Sequence, residues 1–107
     1  MKIDYNGRKF RAAGSGPDGA VAVYHQQGDL LWGDFSGGGV RRGSLTGVVK
    51  PDGSVDFAYT MVTEDEVISG RCWSTPEVLA DGRIRLHETF ERYGEHAGRG
   101  TSVIEEI

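Results

Sequence analysis

The chain has 107 residues, a formal net charge of −4, 17 glycines to punctuate it and a single cysteine. That length supports one domain, residues 1–107, with one core, and the acidic balance excludes the basic footprint of a phosphate-backbone binder, so no nucleic acid is expected as a partner. The lone Cys72 excludes an intrachain disulfide and suits a reducing, cytoplasmic setting; MKIDYNGRKFRAAG lacks an apolar signal core, and no window approaches the ~20 apolar residues of a spanning helix, so no membrane partner is expected.

Runs rich in β-forming residues are predicted as strands at Lys2–Tyr5, Arg8–Ala12, Ala20–Gln26, Leu30–Ser36, Val40–Val49, Val55–Val62, Val67–Ser74, Arg83–Tyr93 and Thr101–Glu106. They make eight or nine strands, according to whether the first hairpin counts twice. Asn6-Gly7 reads as a two-residue type I′ turn, in which both central residues need φ > 0, and Asp18-Gly19, Gly28-Asp29, Asp52-Gly53 and Asp81-Gly82 mark further reversals. Only Thr75-Pro76-Glu77-Val78-Leu79-Ala80 suggests helix, as a single turn opened by Pro76. Without helices, the apolar faces must be buried by packing sheet on sheet or by closing one sheet on itself. Closure is favoured, because a Greek key needs a long crossing connection and the longest gap, Ala13–Gly19, is too short for one. The expected fold is all-β: a single antiparallel up-and-down β-barrel of about eight strands, calycin-like in the manner of lipocalins and streptavidin.

Alternation then assigns faces. In RIRLHETFERY (Arg83–Tyr93), Ile84, Leu86, Glu88 and Phe90 share one face, while Arg83, Arg85, His87, Thr89 and Glu91 share the other, so a carboxylate joins an apolar row. Val55, Phe57, Tyr59 and Met61 form a second inward row, and Ile68, Gly70, Cys72 and Ser74 a third. In Val40–Val49 the small residues Gly43 and Gly47 suit the taper of a barrel interior. This selects the row Arg41, Gly43, Leu45, Gly47 and Val49, and predicts Arg41 inside. The runs at Ala20 and Leu30 read either way. On the outside, Trp73 with Val62 and Tyr93 would form an apolar patch suited to a subunit contact, from which a homodimer is expected.

Glu88 and Arg41 are thus expected in one enclosed space, either as a structural pair that pins the register or as groups that orient a small-molecule ligand. Tyr24 and Tyr59 would flank that space and Trp32 would line its mouth, which makes Tyr24, Trp32, Arg41, Tyr59 and Glu88 the candidate ligand-binding residues. Glu88 is also the candidate for acid–base catalysis, provided burial raises its pKa. No metal or cofactor is implied: His25, His87, His96 and Cys72 share no ligand spacing, and His87 reads as a solvated outward histidine. No nucleophile-elbow string surrounds Ser44, Ser69 or Ser74.

Several strings also form a recognisable pattern: Tyr24-His25-Gln26-Gln27-Gly28-Asp29, Leu31-Trp32, Gly37-Gly38, Gly70-Arg71-Cys72, Ser74 to Leu79, Asp81-Gly82-Arg83 and Leu86-His87-Glu88. With these the chain resembles a family of small bacterial proteins that carry the label "N-acetylglutamate synthase". The resemblance runs from about Tyr5 to Glu106 and implies a small antiparallel barrel. Tryptophans often follow the His-Glu pair in that family; this chain has Phe90 and Arg92 there. The labelled activity is not part of the implication, since an acyl-CoA transferase grips pyrophosphate at a helix N-terminus, whereas Arg41-Arg42-Gly43-Ser44-Leu45-Thr46-Gly47 leads through Val48-Val49-Lys50-Pro51 into a turn.

Three functions fit this sequence. The leading one is a barrel that binds a small molecule. The alternatives are an enzyme of isomerase or cyclase type that uses Glu88 in the same lumen, and a structural or interaction barrel packed solid by Leu45, Phe57, Met61 and Phe90.

Overall fold

The computed structural model describes residues 3–107. Its strands are β1 (Lys9–Ala12), β2 (Val21–Gln27), β3 (Leu30–Gly37), β4 (Val40–Val49), β5 (Val55–Val62), β6 (Val67–Val78), β7 (Ile84–Arg92) and β8 (Gly98–Glu106), with one 3₁₀ turn at Gly94–His96. Every strand pairs antiparallel with its neighbours in sequence, and β1 closes on β8 with Phe10 opposite Glu106, Arg11 opposite Glu105 and Ala12 opposite Ile104. The sheet is therefore a closed up-and-down barrel, the all-β fold expected from the sequence, and closure removes the exposed edges that invite aggregation.

Short turns of suitable chemistry set this order. Gly28, at φ 61°, opens the two-residue turn between β2 and β3. The Asp52 and Asp81 carboxylates accept the backbone N–H of Ser54 and Arg83 at 2.9 and 3.1 Å, fixing the turns before β5 and β7.

The N-terminal segment departs from the expected hairpin. Ile3 to Tyr5 is not a strand, and Lys2 lies outside the described residues. At the Asn6-Gly7 turn only Gly7 has positive φ, so the turn is not type I′. Asn6 is held otherwise: its N–H donates to the Asp4 carboxylate at 2.9 Å, and its side-chain carbonyl accepts the Gln26 N–H at 3.0 Å. This delivers Tyr5 into one end of the barrel, where it is wholly buried and its hydroxyl donates to the Gly53 carbonyl at 2.6 Å. The segment that reads as a strand is a plug.

The helical turn expected at Thr75 to Ala80 is also absent. β6 runs on to Val78, with Pro76 opposite Leu86 and Val78 opposite Ile84. β5 has ended opposite Ser74, so one edge of β6 beyond that point has no neighbour to which Pro76 would owe an N–H.

Leu31, Val55, Ile84 and Leu86 fill the end that Tyr5 plugs, all but fully buried. Each such side chain contributes about 1.5–3 kcal/mol by leaving water. The connections at 13–20, 63–66 and 93–97 surround the other end, which is open. Along β4, Gly43, Leu45, Gly47 and Val49 occupy the predicted inward row, but Arg41 does not: the β3–β4 register breaks between Phe35 and Gly37, and in that bulge of β4 Arg41 is exposed.

The outer surface follows expectation at Tyr93, which is exposed, but not at Trp73. Trp73 is half-buried under the Arg71 guanidinium, 5.4 Å from its ring centroid, while Leu30, Trp32 and Val48 stand exposed on the outer face of β3 and β4.

A candidate ligand cavity inside the barrel

The inward rows of the eight strands enclose a cavity of about 450 Å³ that opens at the unplugged end. Phe10, Leu45, Phe57, Met61, Phe90 and Ile104 give it mostly apolar walls. The four residues that a solid-packed barrel would use as filling, Leu45, Phe57, Met61 and Phe90, line a space instead.

Strand register builds the polar part of the wall. Glu88 on β7 stands between Ser74 on β6 and Ser102 on β8, each directly opposite it. The Ser102 hydroxyl donates to Glu88 Oε1 at 2.9 Å; the Ser74 hydroxyl and the Cys72 thiol approach Oε2 at 3.4 and 3.3 Å. Burial raises the Glu88 pKa, and the hydrogen bonds from Ser102, Cys72 and Ser74 pull against that rise. Burial foremost, and then the Glu88 carboxylate, push the Cys72 thiol far up, so this cysteine is a weak hydrogen-bond donor and not a nucleophile.

Tyr24 reaches the same region from β2. It packs against Phe10 at 4.8 Å between ring centroids and meets Phe57 edge-on at 6.4 Å. Burial, with Glu88 adding to it, drives its hydroxyl pKa well above the ordinary value, which keeps the hydroxyl neutral. Tyr59 lies nearer the mouth, where burial raises its pKa and the Arg92 guanidinium opposes the rise.

Of the residues singled out in the sequence, the fold brings Tyr24, Tyr59 and Glu88 to the cavity wall. The other two are corrections. Trp32 points outward and stacks on His25 at 5.7 Å, because Leu31, Gly33 and Phe35 form the inward row of β3. Arg41 is exposed outside the cavity for the reason given above, so the expected Glu88–Arg41 pair does not form and hydroxyls and a thiol take its place. His87 faces outward and pairs with Glu77 at 2.8 Å. Ser102 and Arg92 were missed. Both continue inward rows, Arg92 two positions after Phe90 and Ser102 opposite Glu88, so extending the alternation along β7 and β8 would have found them.

No curated protein and no solved structure matches the chain. The "N-acetylglutamate synthase" label finds no support in these comparisons. A family model described as avidin-like protein matches residues 3–107, and the chain belongs to that avidin-like family.

Proposed function

We propose that the protein binds a small molecule in the barrel cavity, with an apolar body against Phe10, Phe57 and Phe90 and a hydrogen-bonding group against Glu88. The observation that carries this reading is the Glu88 cluster itself: a carboxyl group in the wall of an apolar cavity of about 450 Å³, held by Ser102, Ser74 and Cys72 and, among the described residues, by no cation. Ligand sites commonly occupy about 300–1,000 Å³ and draw their specificity from a few placed polar groups. A raised pKa keeps Glu88 protonated over a wider pH range, and the protonated form donates as well as accepts. Membership of the avidin-like family, which binds small ligands such as biotin, supports the reading. A reducing compartment belongs to it as well, since Cys72 acts here as a thiol.

The test is a thermal-shift screen of cell metabolites, with biotin among them. A ligand at a hundred times its Kd stabilises the folded state by about 2.7 kcal/mol, which is readily measured. A screen in which no metabolite raises the melting temperature contradicts the reading. The raised pKa of Glu88 also favours acid–base chemistry in the same lumen as a second reading. Glu88→Gln separates the two: ligand affinity retained with turnover lost indicates an enzyme.

A further inference from the structure

We propose that the outer face of the barrel carries a second site, a groove at the β3–β4 bulge where Arg41 and Arg42 together hold the phosphate of a phosphomonoester. The site is separate from the cavity and independent of what the cavity binds. Strand register builds the arginine pair. Phe35 stands opposite Gly43 and Gly37 opposite Val40, so Arg41 and Arg42 share Ser36 as their one partner on β3. Regular alternation would send one of two consecutive side chains inward. The extra residue of a bulge re-aims a side chain, and here both arginines are exposed and line the same outer groove. The inward row holds beside the bulge, where the Phe35 ring lies over Gly43 and a Cβ on Gly43 would overlap it.

The groove encloses about 210 Å³, with Val21 and Val23 of β2 as its apolar wall beside Asp34 and Ser36 of β3. Asp34 is the only acid among its lining residues, and it reaches Arg42 at 3.6 Å with both side chains exposed. A pair so placed is weak. Arg41 forms no ion pair among the described residues. Neither does Arg11, which stands opposite Val21 on β1; Glu105, across from Arg11 on β8, is taken by Arg85 at 2.7 Å. In a chain of net charge −4, the groove is thus a cationic spot with one loosely held counter-charge.

Donor geometry defines the occupant. Each guanidinium presents a planar fork of N–H donors. A carboxylate fills one fork and leaves the other unmatched. A phosphomonoester has three strong acceptor oxygens and a charge of about −1.5 to −2 at pH 7, so it can accept from both forks and from the Ser36 hydroxyl at once. Val21 and Val23 offer the organic part of the ester an apolar surface. A soluble phosphate ester and a phospholipid headgroup of the same type share this chemistry, and the experiment separates them.

The test titrates phenyl phosphate, phenyl sulfate and benzoate calorimetrically at neutral pH and about 0.15 M salt, which screens long-range attraction. The proteins are the wild type, Arg41→Gln, Arg42→Gln, Asp34→Asn and, as a control, Arg99→Gln, an exposed arginine that does not line the groove. All the substituted side chains are exposed, so each variant should melt with the wild type. Phenyl phosphate is expected to bind the wild type about tenfold more tightly than either monoanion, and each groove arginine lost should weaken it about tenfold, as charge-assisted hydrogen bonds do. Asp34→Asn should tighten it by freeing Arg42, and Arg99→Gln should leave it unchanged. A parallel arm sediments the proteins with phosphatidylcholine vesicles with and without phosphatidate. Recruitment by phosphatidate that Arg41→Gln abolishes identifies a lipid source, and phenyl phosphate binding without recruitment identifies a soluble ester. The proposal is overturned if neither phenyl phosphate nor phosphatidate binds, if benzoate binds as well as phenyl phosphate, or if Arg41→Gln has no more effect than Arg99→Gln. The cavity reading stands in every case.

Discussion

Ser102 stands directly opposite Glu88 across the β7–β8 pair, and its hydroxyl donates to Glu88 Oε1 at 2.9 Å. Ser74 stands opposite Glu88 on the other side, across β6–β7. Two strand registers, rather than a loop, thus place the polar cluster in the cavity wall. A site built on paired strands is held more rigidly than one carried by connections.

Ser102→Ala removes the hydrogen bond that most opposes the rise in the Glu88 pKa. Losing a partner of a buried carboxylate costs about 1–3 kcal/mol. The variant is therefore expected to be destabilised by that amount at neutral pH and by less in acid, where Glu88 is protonated. Chemical denaturation at both pH values checks this; an equal loss at both would mean that Ser102 acts through packing alone.

Glu88 itself makes stability depend on pH. Its pKa is raised above 4.5 in the folded chain, so the folded state keeps a proton that the unfolded chain releases. The stabilisation due to that proton is fully present below the ordinary value and is lost as pH rises through the raised one. Each tenfold change in proton affinity is worth about 1.4 kcal/mol. Glu88→Gln cannot titrate, so the stability of the variant relative to the wild type should increase from acid toward neutral pH. Melting curves of the two proteins across that range test the sign, and a flat difference contradicts it.

The plug is tested at Tyr5. Tyr5→Phe keeps the ring and leaves the buried Gly53 carbonyl without its donor, for an expected loss of about 1–3 kcal/mol. Tyr5→Ala also empties the closed end and should cost about 3–5 kcal/mol. For a domain of this size each kcal/mol lowers the melting temperature by about 4–8 °C. Equal melting temperatures for Tyr5→Phe and the wild type would show that the hydroxyl contributes nothing.

Gly47 lets the β4 backbone lie close against β5. A Cβ there would overlap the Asp56 carbonyl and the Phe57 Cα, backbone atoms that cannot swing aside. Gly47→Ala is expected to destabilise by about 1–3 kcal/mol, as overpacking does. Denaturant titration checks this, and a neutral result would mean that the two strands separate without cost.

The turns and the alternation made the barrel readable. Gly28-Asp29, Asp52-Gly53 and Asp81-Gly82 mark its hairpins, and the rows at Val55 and Ile84 place Phe57 and Glu88 inside. Long-range contacts carried the rest. Tyr5 is buried by a hydrogen bond to Gly53, 48 positions away, which no local pattern announces. Arg41 belongs to a row whose other members face inward, but a bulge in its own strand, where Arg41 and Arg42 oppose Ser36 alone, removes it. Trp32 lies in a run where both rows carry large apolar residues, Leu30 and Trp32 against Leu31 and Phe35, so only the pairing with Tyr24 and Leu45 through Gly33 decides. Pro76 reads as a helix start because its tolerance in a strand depends on where β5 ends.

The central claim is that the cavity holds a small molecule, and blocking the cavity tests it most directly. Ala22 lines the wall from β2, and Ala22→Phe would fill much of the space beside Phe35. Wild type and variant are incubated with a cell metabolite extract, and their native masses are compared. The wild type should carry a bound small molecule that the folded Ala22→Phe variant lacks; the same bound mass on both proteins, or none on the wild type, would contradict the account.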